Sequence, residues 1–255
     1  MRVLRSIAAP LIGLLTFFLL WELAVRVFDI RRFVLLAPSA IISEFLDSPS
    51  FYLENALVTA RHMVIGLTIS LVVAILVGAM MAASRFVEEA TQPVLILILV
   101  TPWVAYITSV VVWLGFGERP IVFMVAFTAF PVFTFGVVGG MKSADPAARE
   151  LLASVHADHW EVFWRLRLPS ALPSIFTTAR FAIGLGLAAA YFAEGSALEI
   201  KGLGAIGRRA ALDQTTGAEV LWTTIVCAAL LGVVSLAIVS IAERVMLRWH
   251  ASQRA

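Results

Sequence analysis

Apolar residues in this chain come in long unbroken blocks, with polar residues confined to the stretches between them. Six blocks stand out, at Ile7–Phe28, Ala56–Ala83, Thr91–Leu114, Pro120–Met141, Leu172–Ala193 and Val220–Leu247. Each approaches the ~20 residues a helix needs to cross a bilayer. Within hydrocarbon every backbone N–H and C=O must find a partner, and only a helix supplies all of them inside one segment. A barrel would show short strands of alternating polarity, and that period is absent. The pattern predicts an all-α, polytopic membrane protein of about six transmembrane helices. The first block follows Arg2 and Arg5, as in a signal peptide. It exceeds the roughly 7–15 residues of a signal core and lacks a clear small-residue cleavage site, so it is expected to stay as the first span.

Three connections are long enough to hold structure. Residues 29–55 include "LLAPSAIISEFLDSPSFYLEN". Pro38-Ser39 there suits a helix start, with Ile41, Ile42, Phe45 and Leu46 on one face. Residues 194–219 are rich in glycine and polar side chains and read as a loop. The third connection, 143–173, lies between the fourth and fifth spans. Leu151, Leu152, Val155, Val162, Phe163 and Leu166 recur there at helical spacing, with Arg149, Glu150, Ser154, Asp158, Glu161 and Arg165 between them. So many charges exclude a span, since each Arg or Asp at mid-bilayer costs roughly 2.5–3.5 kcal/mol. Short amphipathic helices at the membrane surface are expected, with Pro169 and Pro173 marking the return to the bilayer. Two readings fit: a lipid-facing connector, or a docking surface for a cytoplasmic partner.

Composition agrees with lipid as the main solvent. The chain is 61% hydrophobic and 14% charged, with mean hydropathy +0.95, against roughly 25% charged residues in a soluble domain. A net charge of +2 and a pI near 9.0 suit anionic headgroups and membrane lipid, and give no support for nucleic acid. Cys227 is the only cysteine, which excludes an internal disulfide and a cysteine-built metal site. With the N-terminus inside, the cytoplasmic side receives Arg2, Arg5, Arg85, Lys142, Arg149, Arg165, Arg167, Arg244, Arg248 and Arg254. The other side holds Arg31, Arg32, Arg119, Lys201, Arg208 and Arg209, with Arg26 and Arg61 near the boundary. This modest bias favours cytoplasmic N- and C-termini.

The stretch "ARELLASVHADHWEVFWRLRLPSALPSIFTTARFAIGLGLAAAYFAEG" resembles the EAA-loop region of ABC importer permeases, in the branch serving nitrate, sulfonate, taurine and related solutes. "LLAPSAIISEF", "VVWLGFGE", "MKSADPAARELL" and "KGLGAIG" are similar to further segments of that family, so the likeness covers about residues 35–250. The resemblance implies one transmembrane domain over 1–255, with an EAA-type coupling loop at 143–173. It implies coupling helices seated in a cytoplasmic ATPase, with Arg149, Glu150, Leu151, Ala153, Ser154, His156, Ala157, Asp158 and Trp160 at that contact. Glu150 takes the place of the EAA glutamate, and Ala153 through Asp158 occupy the turn. Leu152 stands where the family usually has alanine, and His156 where it usually has glycine, which reaches a left-handed turn far more readily. The expected partners are a second copy of the chain, two ATPase subunits and an extracytoplasmic solute-binding protein, in a bacterial inner membrane.

Other motifs carry little chemistry. "GLGAIG" at Gly202–Gly207 fits a dinucleotide fingerprint but lacks the βαβ setting, and reads as a flexible gate loop. His156 and His159, with Asp158 between, make a poor metal set. The phosphate-cradling G-x-x-x-x-G-K-[ST] is missing, so no cofactor is expected on this chain, and ATP and Mg belong to partner chains. No protease or acyl-transfer motif appears. Ionisable residues in or beside spans are candidates for function: Glu22, Arg61, Arg180, Glu194 and Glu243. "TPWVAYITS" places Thr101, Trp103, Tyr106, Thr108 and Ser109 inside the third span, with Pro102 as a kink. The family likeness implies a translocation path along such helices, for which the candidates are Arg61, Thr101, Trp103, Tyr106, Ser109, Thr128, Phe130, Arg180, Tyr191 and Glu194. An ion-coupled secondary transporter is the competing reading, without a visible inverted repeat or paired acids. The expected cargo is sulfonate, taurine, nitrate or a similar solute; the alternative is an aromatic compound such as a pyrimidine precursor or a riboflavin-like molecule.

Overall fold

The structure is a computed structural model that describes residues 2–213 and 217–247, with side chains from residue 8 onward. Arg248 and Arg254, and the side chains of Arg2 and Arg5, lie outside the described residues. Among the described residues there is no strand. The helices are α1 (Arg2–Val27), α2 (Pro38–Asp47), α3 (Pro49–Ala83), α4 (Arg85–Val100), α5 (Ile107–Leu114), α6 (Glu118–Lys142), α7 (Pro146–Ser154), α8 (His159–Val162), α9 (Leu168–Ser196), α10 (Leu203–Leu212) and α11 (Gly217–Met246). Among the described residues five helices are long and apolar enough to cross a membrane, or six if the bent pair α4 and Trp103–Leu114 counts as one.

Helices α3, α6 and α9 form the centre, and small residues let them approach. The buried face of α3 includes Asn55, Thr59, His62, Gly66, Ser70, Ala74 and Gly78, three or four residues apart, with Tyr52, Met63 and Met81 also buried, while Val64, Val72, Leu76 and Met80 are exposed. A Cβ on Gly66 would lie 2.5 Å from the Cβ of Val125 in α6, and one on Gly140 would lie 2.7 Å from the Cα of Ala171 in α9. Glycine at these crossings is a packing requirement. By contrast α1 buries only 6% of its apolar window, and joins the rest through its end. The Glu22 carboxylate there accepts the Ser39 amide at 3.0 Å and the Ser39 hydroxyl at 2.7 Å, which ties α1 to α2.

The expected third span is two helices bent by 88°. Thr101 is extended (φ −75°, ψ 131°), as the residue before a proline prefers, and Pro102 cannot donate the next helical bond. A 3₁₀ turn over Trp103–Tyr106 then leads into α5. Four other expectations also change. Only Ile41 and Phe45 of α2 turn inward, while Ile42 and Leu46 stay exposed, because α2 meets neighbours along a narrow strip. Leu151 and Val155 of the amphipathic segment are likewise exposed, apart from half-buried Val162 and Phe163 and buried Leu166. Gly202–Gly207 is no loop: it caps and opens α10, and Leu203 through Gly207 are buried. Finally, the fifth span begins four residues early, at Leu168, so Pro169 sits in its first turn and Pro173 inside the helix.

Candidate functional site

The bundle end that carries residues 143–167 is capped by a helical hairpin. Asp145 Oδ1 accepts the Ala147 amide at 2.9 Å with Pro146 next in line, so α7 starts with a side-chain cap and a preset φ. It stops at a left-handed residue, His156, with φ 54°. The Ala157 amide donates to the Leu152 carbonyl at 3.0 Å and the His156 amide to Ala153 at 3.1 Å, the paired bonds of a Schellman turn. The histidine therefore occupies a left-handed conformation that glycine adopts without a Cβ penalty, at a steric cost of about 1–2 kcal/mol. Asp158 caps the next helix, its Oδ1 accepting the Glu161 amide at 2.7 Å. From α8 the helical backbone passes through a π turn at Phe163–Arg167 directly into α9. The second arm of the hairpin is thus continuous with a membrane helix.

Its residues divide between two surfaces. Arg149, Ala153, Ala157 and Trp160 face a cavity against the nearby half of α3. Glu150, Leu151, Ser154, Val155 and His156 are exposed and lie outside that cavity, and Leu151 and Val155 keep 67% and 65% of their surface accessible. Two aliphatic side chains one turn apart, flanked by Glu150 and Ser154, form an apolar ridge at the tip of the bundle. Leu152 is half-buried.

The candidate path residues do not share one surface. Glu194 is fully buried, and Thr128 is buried with its hydroxyl donating to the Met124 and Val125 carbonyls of its own helix. Phe130 packs among buried residues of α3, α6 and α9. Tyr191 shares a 3.0 Å hydrogen bond with Thr224 of α11. Arg61 pairs with Glu118 at 2.7 Å, and Arg180 with Glu243, so both arginines join neighbouring helices. What the structure does bring together is an aromatic wall at the α4–α5 bend. Trp103 meets Phe192 of α9 edge-on at 5.7 Å, and Tyr106 meets Phe127 at 5.5 Å, with half-buried Thr101 and exposed Ser109 on the same bent segment.

A buried polar cluster at the opposite end went unread in the sequence. Glu194 Oε1 is 2.9 Å from His62 Nδ1, while its Oε2 accepts the Thr59 hydroxyl and the Gly204 amide, both at 2.9 Å. The Leu203 amide donates to Thr59 Oγ1 at 2.9 Å, and the Gly202 amide to Asn55 Oδ1 at 2.7 Å. A carboxylate and two α3 side chains thereby satisfy the first amides of α10, which carry the positive end of its dipole. Gly204 is obligatory, since a Cβ there would lie 1.8 Å from the Tyr191 carbonyl oxygen. The available signal was Asn55, Thr59 and His62 at helical spacing inside an apolar block. Among the described residues no group of three or more His, Cys, Asp or Glu is placed to hold a metal.

A polytopic helical protein with a capped hairpin mounted on a membrane helix and small residues at its central crossings has the build of a transport subunit. The chain belongs to the family of the binding-protein-dependent transport system inner membrane component, which matches residues 70–248. Similar proteins include the formylaminopyrimidine transport permease ThiX of Halalkalibacterium halodurans, 29% identical over 96% of both chains. The riboflavin transport system permease RibX of Chloroflexus aurantiacus is 26% identical over 98% of this chain and 95% of its own. The taurine transport permease TauC of Escherichia coli is 29% identical over 56% of this chain and 58% of its own. The protein is therefore a multi-pass permease subunit of an ABC importer that works with ATPase and binding-protein partners, and it is not an enzyme in itself.

Proposed function

We propose that two copies of the chain enclose one path across a bacterial inner membrane, with both termini cytoplasmic, and that each hairpin seats in one of two ATPase subunits. The observation that carries this is the exposed ridge of Glu150, Leu151, Ser154 and Val155, on a hairpin whose helical backbone runs on into α9. Closure of the ATPases around ATP and Mg moves the ridge, and α9 follows through the hydrogen-bonded turn at His156 and the continuous helical backbone that runs from α8. The ATPase contacts differ between the two states, and that difference is what biases the equilibrium. The aromatic wall of Trp103, Tyr106 and Phe192 supports a path along the α4–α5 bend and α9. Thr101 and Ser109 lie on the same bent segment, whereas Arg61, Thr128, Phe130, Arg180, Tyr191 and Glu194 would reach the path only after the helices rearrange.

For cargo, taurine, sulfonates and nitrate remain one class. A nitrogen heterocycle is favoured by the near full-length similarity to permeases named for formylaminopyrimidine and riboflavin. Glu150→Arg tests the docking. Reversing a charge in such a contact costs about 2 kcal/mol or more, so solute uptake should fall by at least roughly tenfold while the permease still inserts and folds. Uptake at the parent rate would remove the ridge from the mechanism. Ligand trapped on the cognate binding protein, identified by mass spectrometry, decides between heterocycle and sulfonate.

A further inference from the structure

The cavity between the hairpin and α3, about 1000 Å³ in volume, is used by neither docking nor transport as described above. Its long wall is the exposed apolar edge of α3, including Val72, Leu76 and Met80. From Val72 to Ala83 it follows that helix for about 16 Å at 1.5 Å per residue, close to half of a roughly 30 Å hydrocarbon layer. Its mouth at the hairpin is lined by Arg149, Arg167 and His159, and no carboxylate lines it. Of the nearby acids, Glu161 pairs with Arg165 at 3.2 Å and Asp158 caps α8, while Glu150 stands on the exposed ridge outside the cavity. Among the described residues neither Arg149 nor Arg167 has an acidic partner. Trp160 and Trp164 stand at the same mouth, with rings edge-on at 5.5 Å, where indoles settle at a membrane–water boundary.

We infer that this groove binds one anionic phospholipid, its acyl chain along α3 and its headgroup phosphate against Arg167 and Arg149. The charge at the mouth selects the headgroup, and the depth of the groove matches one leaflet. A lipid there wedges between α3 and the hairpin, so the hairpin's seat would respond to the lipid composition of the membrane. The site does not depend on docking to the ATPase, since it uses only the groove.

Fluorescence quenching tests it. The transporter, with its ATPase subunits bound, is placed in phosphatidylcholine nanodiscs containing a small fraction of brominated phosphatidylglycerol or, separately, brominated phosphatidylcholine. Phosphatidylglycerol should quench tryptophan at a markedly lower mole fraction, with a preference of about fivefold for each arginine that meets the phosphate. Arg167→Gln should bring the two lipids toward parity, and Arg167→Lys should restore most of the preference. Replacing Trp160 and Trp164 together by Phe should abolish the lipid-specific part of the signal, leaving that of the other tryptophans among the seven. Equal quenching by both lipids in the parent chain overturns the proposal, as does a preference that survives the double Phe replacement. Absence of quenching at these two tryptophans also overturns it, and points to protein, such as a second copy, covering the groove. Repeating the titration on the permease freed of ATPase separates a failed lipid site from a failed docking surface, because the lipid preference should persist there whether or not the hairpin docks.

Discussion

Glu194 sits fully buried between α3, α9 and the start of α10, and both its oxygens are occupied. Removing it leaves His62 and the Gly204 amide without their acceptor, and the Thr59 hydroxyl with only the Asn55 carbonyl at 3.2 Å. Glu194→Ala should therefore destabilise the protein by about 3–5 kcal/mol. Thermal unfolding in detergent measures this, and protease nicking near residues 197–202 should rise because α10 loses its anchor. An unchanged melting temperature would mean the cluster is dispensable for the fold. The sequence marks Glu194 as an ionisable residue beside a span and a path candidate, and the structure places it near the end of α9 with its carboxylate fully buried. Its partner Thr59 lies 135 positions away. No local pattern links two such residues, although each was conspicuous as a polar group in an apolar block.

Helix starts rest on local chemistry, although the sequence reading made no use of these two caps. Asp145-Pro146 and Asp158 announce the starts of α7 and α8, and the structure uses both side chains as caps. Pro102 marked a bend, but its size, 88°, depends on what α4 and α5 pack against on either side. The hairpin turn allows a sharper test. His156 holds φ 54°, where glycine pays no Cβ penalty and a β-branched residue pays most. His156→Gly should stabilise the turn by about 1 kcal/mol and leave uptake intact. His156→Val should loosen it, with faster hydrogen exchange at the Ala157 amide that closes the Schellman turn. Equal exchange in the two variants would show that the left-handed turn does not govern this hairpin.

One copy of the chain leaves α1 almost bare and the aromatic wall open on one side, which lipid or a second protomer can cover. The proposed homodimer predicts a permease mass in the purified complex near twice 27.7 kDa, read by native mass spectrometry together with two ATPase subunits. A single permease per complex would overturn it. The all-helical build with five to six membrane-length helices followed from the chain alone, because transfer of twenty apolar residues into hydrocarbon outweighs any tertiary preference. Which faces meet did not follow. The α3 stripe from Asn55 to Gly78 turns inward because α6 and α9 bring side chains and backbone that need small or polar neighbours, as Val125 does against Gly66. In lipid both faces of a helix are apolar enough, so hydrophobicity cannot choose between them. Shape and buried hydrogen bonds between distant segments make that choice, and they exist only once the helices are assembled.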